Sequence, residues 1–230
     1  MNDTNKIFYS MVGLPRSGTT IFTNVLNGFK DTFCLSEPIW TLMESPSTYN
    51  SGKIDGELML YTPDSVMSKT KKFLEESRFK MGGFKETYRA FQKPNPIDKV
   101  DQEDHLLDLK IFIVREPRCN FAGWLRKPFL HIYKDIDVFI SNYESFFNYI
   151  DSYKGKKLIF KYEEISKEYI LKKLAPYYKA DEICVEPTGF SYGDQKANNS
   201  KVILKPNMSF DLTVEQVEKM RHIIIRYEQL

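Results

Sequence analysis

The sequence predicts an α/β fold: a three-layer, doubly wound parallel sheet with helices on both faces. Three observations carry that reading. Short apolar runs recur along the chain and alternate with amphipathic stretches of helical period, the pattern of a sheet buried on both sides. The chemically interesting polar residues fall just after the apolar runs, where ligands gather in such sheets. A length of 230 residues with 42% hydrophobic content, and no low-complexity tract, suits one domain spanning residues 1–230.

Taken in order, the expected strands are Ile7–Val12, Thr32–Leu35, Phe79–Phe84, Lys110–Val114 and Lys157–Phe160. Between them the helical pattern appears at Thr19–Asn27, Asp64–Ser77, Pro117–Leu125, Asp135–Tyr153 and Ile165–Leu174. The first of these puts Ile21, Phe22, Val25 and Leu26 on one face and closes at Gly28. Pro63 before Asp64 marks a helix start. Thr213 with Gln216 forms a capping box for a last helix reaching about Tyr227. Tyr88 to Pro96 reads as a loop. Thr41 to Tyr61 reads as an irregular excursion over the sheet edge, either an acceptor-binding lid or an inert surface loop.

The segment between the first strand and first helix is the most informative. In Val12-Gly13-Leu14-Pro15-Arg16-Ser17-Gly18-Thr19-Thr20, two glycines allow a sharp turn and close backbone approach to a ligand. Backbone N–H groups then converge at a helix start that adds about half a positive charge. The outline is that of a P-loop. A nucleotide triphosphatase carries lysine where this chain has Thr19, and the nearest cation is Arg16, whose planar fork fits phosphate or sulfate oxygens. The bland alternative is a strand–turn–helix corner with incidental glycines.

Pro15-Arg16-Ser17-Gly18-Thr19-Thr20 resembles the 5′-phosphosulfate-binding loop of the sulfotransferases that use 3′-phosphoadenylyl sulfate (PAPS). The branch with arginine at the cationic position includes bacterial carbohydrate and protein-tyrosine sulfotransferases. The resemblance implies a P-loop nucleotide-binding type of fold, with Pro15, Arg16, Ser17, Gly18, Thr19 and Thr20 on the donor. It also implies PAPS as donor substrate, no metal, and a hydroxyl acceptor, on a small molecule or a glycan.

Other segments extend the resemblance. Arg115, at the end of a buried strand and before Pro117, matches the arginine that holds the donor's 3′-phosphate; taken on its own, the segment favours a strand-end arginine paired with Glu116. The family's serine eight residues later is Gly123 here, a departure that the Gly123 N–H, Arg118 or Arg126 is left to compensate. The Glu37-Pro38 pair matches the glutamate taken as general base, although Glu37 alone reads as a solvated loop carboxylate. At Lys85-Glu86-Thr87 the aryl and steroid enzymes carry Lys-Thr-His, which puts Thr87 at the histidine position and Glu86 in reserve as base. The bland reading of Lys85-Glu86 is an ion pair at the sheet edge. Tyr162 matches a tyrosine near the adenine, and Lys196 lies in a segment, Gly193 to Asn199, resembling a loop that closes over the nucleotide.

Composition narrows the alternatives. A net charge of +2 does not point to nucleic acid, and no run of about 18 apolar residues suggests a transmembrane segment. Cys34, Cys119 and Cys184 are scattered and form neither a disulfide framework nor a metal spacing, which suits a cytoplasmic protein. The expectation is a PAPS-dependent sulfotransferase acting through Arg16 and Glu37. The competing readings are a P-loop small-molecule kinase and a non-catalytic nucleotide-binding relative. Tyr88, Phe91, Trp124, Phe129 and Tyr133 are candidates for lining an acceptor pocket.

Overall fold

The computed structural model describes residues 6–29, 31–44, 49–54, 57–126, 134–178 and 212–230. The main sheet is built from β1 (Ile7–Gly13), β2 (Thr32–Ser36), β5 (Met81–Thr87), β6 (Leu109–Val114) and β7 (Lys157–Lys161). Its order is β2-β5-β1-β6-β7, and every pairing is parallel. A separate antiparallel pair joins β3 (Tyr49–Ile54) to β4 (Glu57–Tyr61).

Side-chain alternation along the central strands distributes the core. Tyr9 and Met11 of β1 face Phe22 and Leu26 of α1 (Thr19–Asn27) and share a cluster with Ile170 and Leu174 of α7 (Lys167–Leu174). Val12 and Phe112 turn to the opposite face. There they meet Phe121 and Trp124 of α5 (Pro117–Leu125) and Phe139, Tyr143 and Phe146 of α6 (Ile136–Ser152). Phe8 and Phe84 extend that second face toward Ile39 of α2 (Pro38–Glu44), Leu74 of α3 (Val66–Glu76) and Val100 of α4 (Pro96–Gln102). Helices therefore cover both faces, giving the three layers the sequence predicts. Each fully buried large side chain, such as Phe22, contributes roughly 2 kcal/mol by leaving water.

Several boundaries move for physical reasons. Pro63–Ser65 forms a 3-10 turn before α3, and Asp135 stands outside α6 as its N-cap, accepting from Asp137 N and Val138 N. The Thr213–Gln216 capping box is present, and the last helical stretch divides at Met220 into α8 (Val214–Lys219) and α9 (Arg221–Glu228). In place of an irregular excursion over Thr41 to Tyr61 stand the end of α2 and the β3–β4 pair. Among the described residues no helix is long and apolar enough to cross a membrane.

The topology also marks the position where open parallel sheets bind their ligands. After β1 the chain crosses toward β2, and after β6 toward β7 on the other side. The connections leaving adjacent strands β1 and β6 thus diverge, opening a crevice at their carboxyl ends.

Candidate active site

The β1–α1 loop lines this crevice. Ser17 N donates to Leu14 O at 3.1 Å, closing a turn, and Gly18 heads α1 with φ 95°. A side chain at Gly18 would strike the Tyr162 ring, whose Cδ2 lies 2.2 Å from the position of an added Cβ. The helix start has no side-chain cap and no acidic residue in its first turn. Its leading N–H groups therefore have no capping partner among the described residues, an arrangement able to receive an anion. Thr20 is exposed there, while Thr19 is buried and Ser17 lies in the interior with its hydroxyl unpartnered.

Two struts from the β6–α5 side hold the loop. Trp124 Nε1 donates to Pro15 O at 2.6 Å, and Arg115 Nη1 donates to Arg16 O at 3.0 Å. Pinning these carbonyls toward α5 turns the following N–H groups the other way, because a trans peptide opposes its two dipoles. Arg115 is itself anchored: its carbonyl accepts from the Tyr143 hydroxyl, and the next N–H, of Glu116, donates to Glu163 Oε1 at 3.0 Å. Its guanidinium lies 4.7 Å from the Tyr162 ring centroid. Tyr162 is only 7% exposed, so its ring serves as the floor beneath Gly18 and Arg115.

The charge balance is one-sided. Neither Arg16 nor Arg115 is ion-paired with a carboxylate among the described residues. Burial of its stem, and then the like charge of Arg115, lower the Arg16 pKa from its ordinary value, with Tyr162 opposing. The expected Arg115–Glu116 pairing is not what forms. Glu116 instead receives Arg118 Nε at 2.6 Å on one oxygen and Cys119 N at 2.9 Å on the other, capping α5. Gly123 faces the Arg16 stem and the Arg115 guanidinium: an added Cβ would lie 3.3 Å from Arg16 Cβ and 3.7 Å from Arg115 Nη1. The Gly123 N–H belongs to the helix ladder, so it is no substitute for a serine hydroxyl.

Glu37 sits at the carboxyl end of β2, with β5 between it and β1. Two strand spacings put it about 10 Å across the sheet from the loop. Its N–H donates to Lys85 O at 2.7 Å. Its Oε1 accepts from the Thr87 hydroxyl and lies 3.2 Å from Lys85 Nζ and 3.9 Å from Arg89 Nη2. Burial pushes the Glu37 pKa up, but Lys85, the Thr87 hydrogen bond and Arg89 outweigh it and leave the carboxyl below its usual value. Lys85 therefore pairs with Glu37 across strands rather than with its neighbour. Glu86, on the other face of β5, is wholly buried and accepts Ile39 N at 2.6 Å at the start of α2. Burial, then the Glu37 charge, push its pKa up to about 8.

One backbone feature links the two halves. Among the described residues only two non-glycines have positive φ, Arg16 at 66° and Glu37 at 49°. Such conformations cost about 1–3 kcal/mol and concentrate at functional sites. Sequence gives no signal of this, nor of the parts played by Trp124, Tyr143, Glu163 and Arg89. Tyr88 and Phe91 pack with the α5–α6 core, and Trp124 is fully buried within it. Lys196, Phe129 and Tyr133 lie outside the described residues.

The arrangement is that of a sulfotransferase-type, P-loop-like α/β fold. A solved structure similar to this chain is the sulfotransferase domain of the Synechococcus PCC 7002 olefin synthase. The TM-score is 0.57 at 11% sequence identity, covering 99% of this chain and 97% of that one. At that identity the likeness establishes the fold. No protein-family model and no curated protein matches the chain.

Proposed function

We propose that this chain is a sulfotransferase that moves a sulfuryl group from PAPS to an acceptor hydroxyl, on a carbohydrate or glycan. The observation that carries the reading is the uncapped α1 N-terminus flanked by Arg16 and Arg115, neither ion-paired with a described carboxylate. Such a site calls for a multiply charged anion, the donor's 5′ end at residues 15–20 and its 3′-phosphate at Arg115. Tyr162 acts on the donor through the loop and Arg115 that it supports. The proposed domain spans residues 1–230, and the buried Cys34 and Cys119 thiols are in keeping with the cytoplasm.

In the proposed reaction the acceptor oxygen bonds to sulfur while the sulfur–oxygen bond to the 5′-phosphate breaks. Glu37, ionised at neutral pH, takes the hydroxyl proton. Arg16, the Thr20 hydroxyl and the α1 N–H groups stabilise charge growing on the departing phosphate. The products are the sulfate ester and 3′,5′-adenosine bisphosphate. A kinase on this fold needs a carboxylate for magnesium. The nearest sequence candidate, Glu116, has both oxygens committed at the α5 start.

Calorimetry with 3′,5′-adenosine bisphosphate and with Mg-ATP tests the donor assignment. Selective binding of the bisphosphate is expected; preference for Mg-ATP would falsify it. Glu37→Gln should bind the bisphosphate normally and turn over at least about 100-fold more slowly. Near-normal turnover removes Glu37 as base.

A further inference from the structure

Arg89 is a cation that the donor reading leaves unused. It follows β5 in a segment tied down on both sides: Tyr88 N donates to Gly13 O at 2.9 Å, and Ala90 N donates to Asn142 Oδ1 at 2.7 Å. The Arg89 guanidinium carbon lies 4.0 Å from the Trp40 ring centroid, a packing that fixes and shields a guanidinium. Its Nη2 is 3.9 Å from Glu37 Oε1, an ion-pair distance too long for a hydrogen bond. No described residue accepts a hydrogen bond from the Arg89 side chain. A planar five-donor group is thus held beside the proposed base with its donors unspent among the described residues.

The local charge count points the same way. Among the described residues, Lys85 and Arg89, with side chains 4% and 15% exposed, share the one carboxylate of Glu37, which is 23% exposed. Glu86 lies across the strand, with its carboxyl turned to the α2 backbone. Two cations against one carboxylate leave one positive charge in excess, and a cation so little hydrated is costly without a partner.

We infer, on the sulfotransferase reading above, that the acceptor is a hydroxy acid whose carboxylate is held by Arg89 over Trp40 while its hydroxyl meets Glu37. The guanidinium offers a fork to the carboxylate, and Trp40 forms a wall beside it. Placing this second anion alters the base. It neutralises one of the cations that hold Glu37 ionised and adds a like charge beside it, while Lys85 stays in place. The affinity of Glu37 for a proton therefore rises once the acceptor is bound, bringing it nearer the strength a base needs at neutral pH.

The test uses labelled PAPS with matched acceptors: 4-hydroxybenzoate against its methyl ester, and a methyl glucuronide against the corresponding methyl glucoside. The acid of each pair is expected to show a KM at least about tenfold lower, equivalent to about 1.4 kcal/mol. Arg89→Gln should erase that preference by raising the KM of the acid alone, with the KM for PAPS and for the ester unchanged; Arg89→Lys should keep part of it. With the acid, the acidic limb of kcat should lie at higher pH than that of kcat/KM, and with the ester the two should coincide. Equal KM values within each pair overturn the inference, as does an Arg89→Gln variant that retains the preference or weakens PAPS as much as the acid. The donor assignment is judged separately by bisphosphate calorimetry. Should that assignment fail, or no acceptor turn over, calorimetric titration with 4-hydroxybenzoate and its ester still decides. Tighter acid binding that is lost in Arg89→Gln supports the Arg89 site, and its absence overturns it.

Discussion

Two helices begin at the carboxyl ends of neighbouring strands, and they begin differently. At α5 the protein satisfies its own helix start: Glu116 accepts the Cys119 N–H and is paired in turn with Arg118. At α1 it supplies neither a capping side chain nor an acid in the first turn, and it adds Arg16 with Arg115 behind it. Both starts carry about half a positive charge. One is spent on folding; the other has no capping side chain, and the proposed function assigns it to a ligand. On that proposal the anion site is marked by an omission, and the neighbouring helix shows what the omitted group looks like.

Three substitutions probe that contrast. Arg16→Ala should cost the most, about 3 kcal/mol of transition-state stabilisation, or two orders of magnitude in kcat/KM for PAPS, with weaker bisphosphate binding. Unchanged steady-state constants would remove Arg16 from the mechanism. Thr20→Asp makes α1 resemble α5 by placing a carboxylate at the exposed start of the helix. Bisphosphate affinity should fall about tenfold while thermal stability rises by a few tenths of a kcal/mol. Parallel changes in affinity and stability would break the comparison. The smallest effect, Glu116→Ala, is confined to folding: about 1 kcal/mol of stability lost in denaturant titration, with bisphosphate affinity held within about threefold. A large loss of affinity there would show that the α5 start also serves the ligand.

The sheet was legible because its central strands are covered on both faces and read as unbroken apolar runs. Thr19–Asn27 and Pro117–Leu125 coincide with α1 and α5, since a glycine closes one and a proline opens the other. The strand expected to end at Phe84 continues to Thr87, because Lys85 and Glu86 find buried partners that hydropathy cannot anticipate. The α2 helix was missed because its start is completed by Glu86, far away in sequence. The α4 helix had a local signal, Asn95 as cap before Pro96, obscured by the neighbouring prolines. At the site, motif order places Arg16, Glu37 and Arg115 after their strands. It does not reveal that Glu116 turns to Arg118, that Trp124 braces the loop, or that Arg89 reaches Glu37. Those relations join separate strands and depend on side-chain direction.

The hydrogen bond from Trp124 to Pro15 has an optical consequence. The chain holds two tryptophans. One is wired to the backbone proposed to grip the donor, and the other lies under the guanidinium proposed to hold the acceptor. Replacing either indole with phenylalanine leaves a single intrinsic fluorophore, so on the proposed assignments the emission of one variant should follow the nucleotide and that of the other the second substrate. The order in which the two substrates arrive could then be timed in a stopped-flow instrument without attaching a dye.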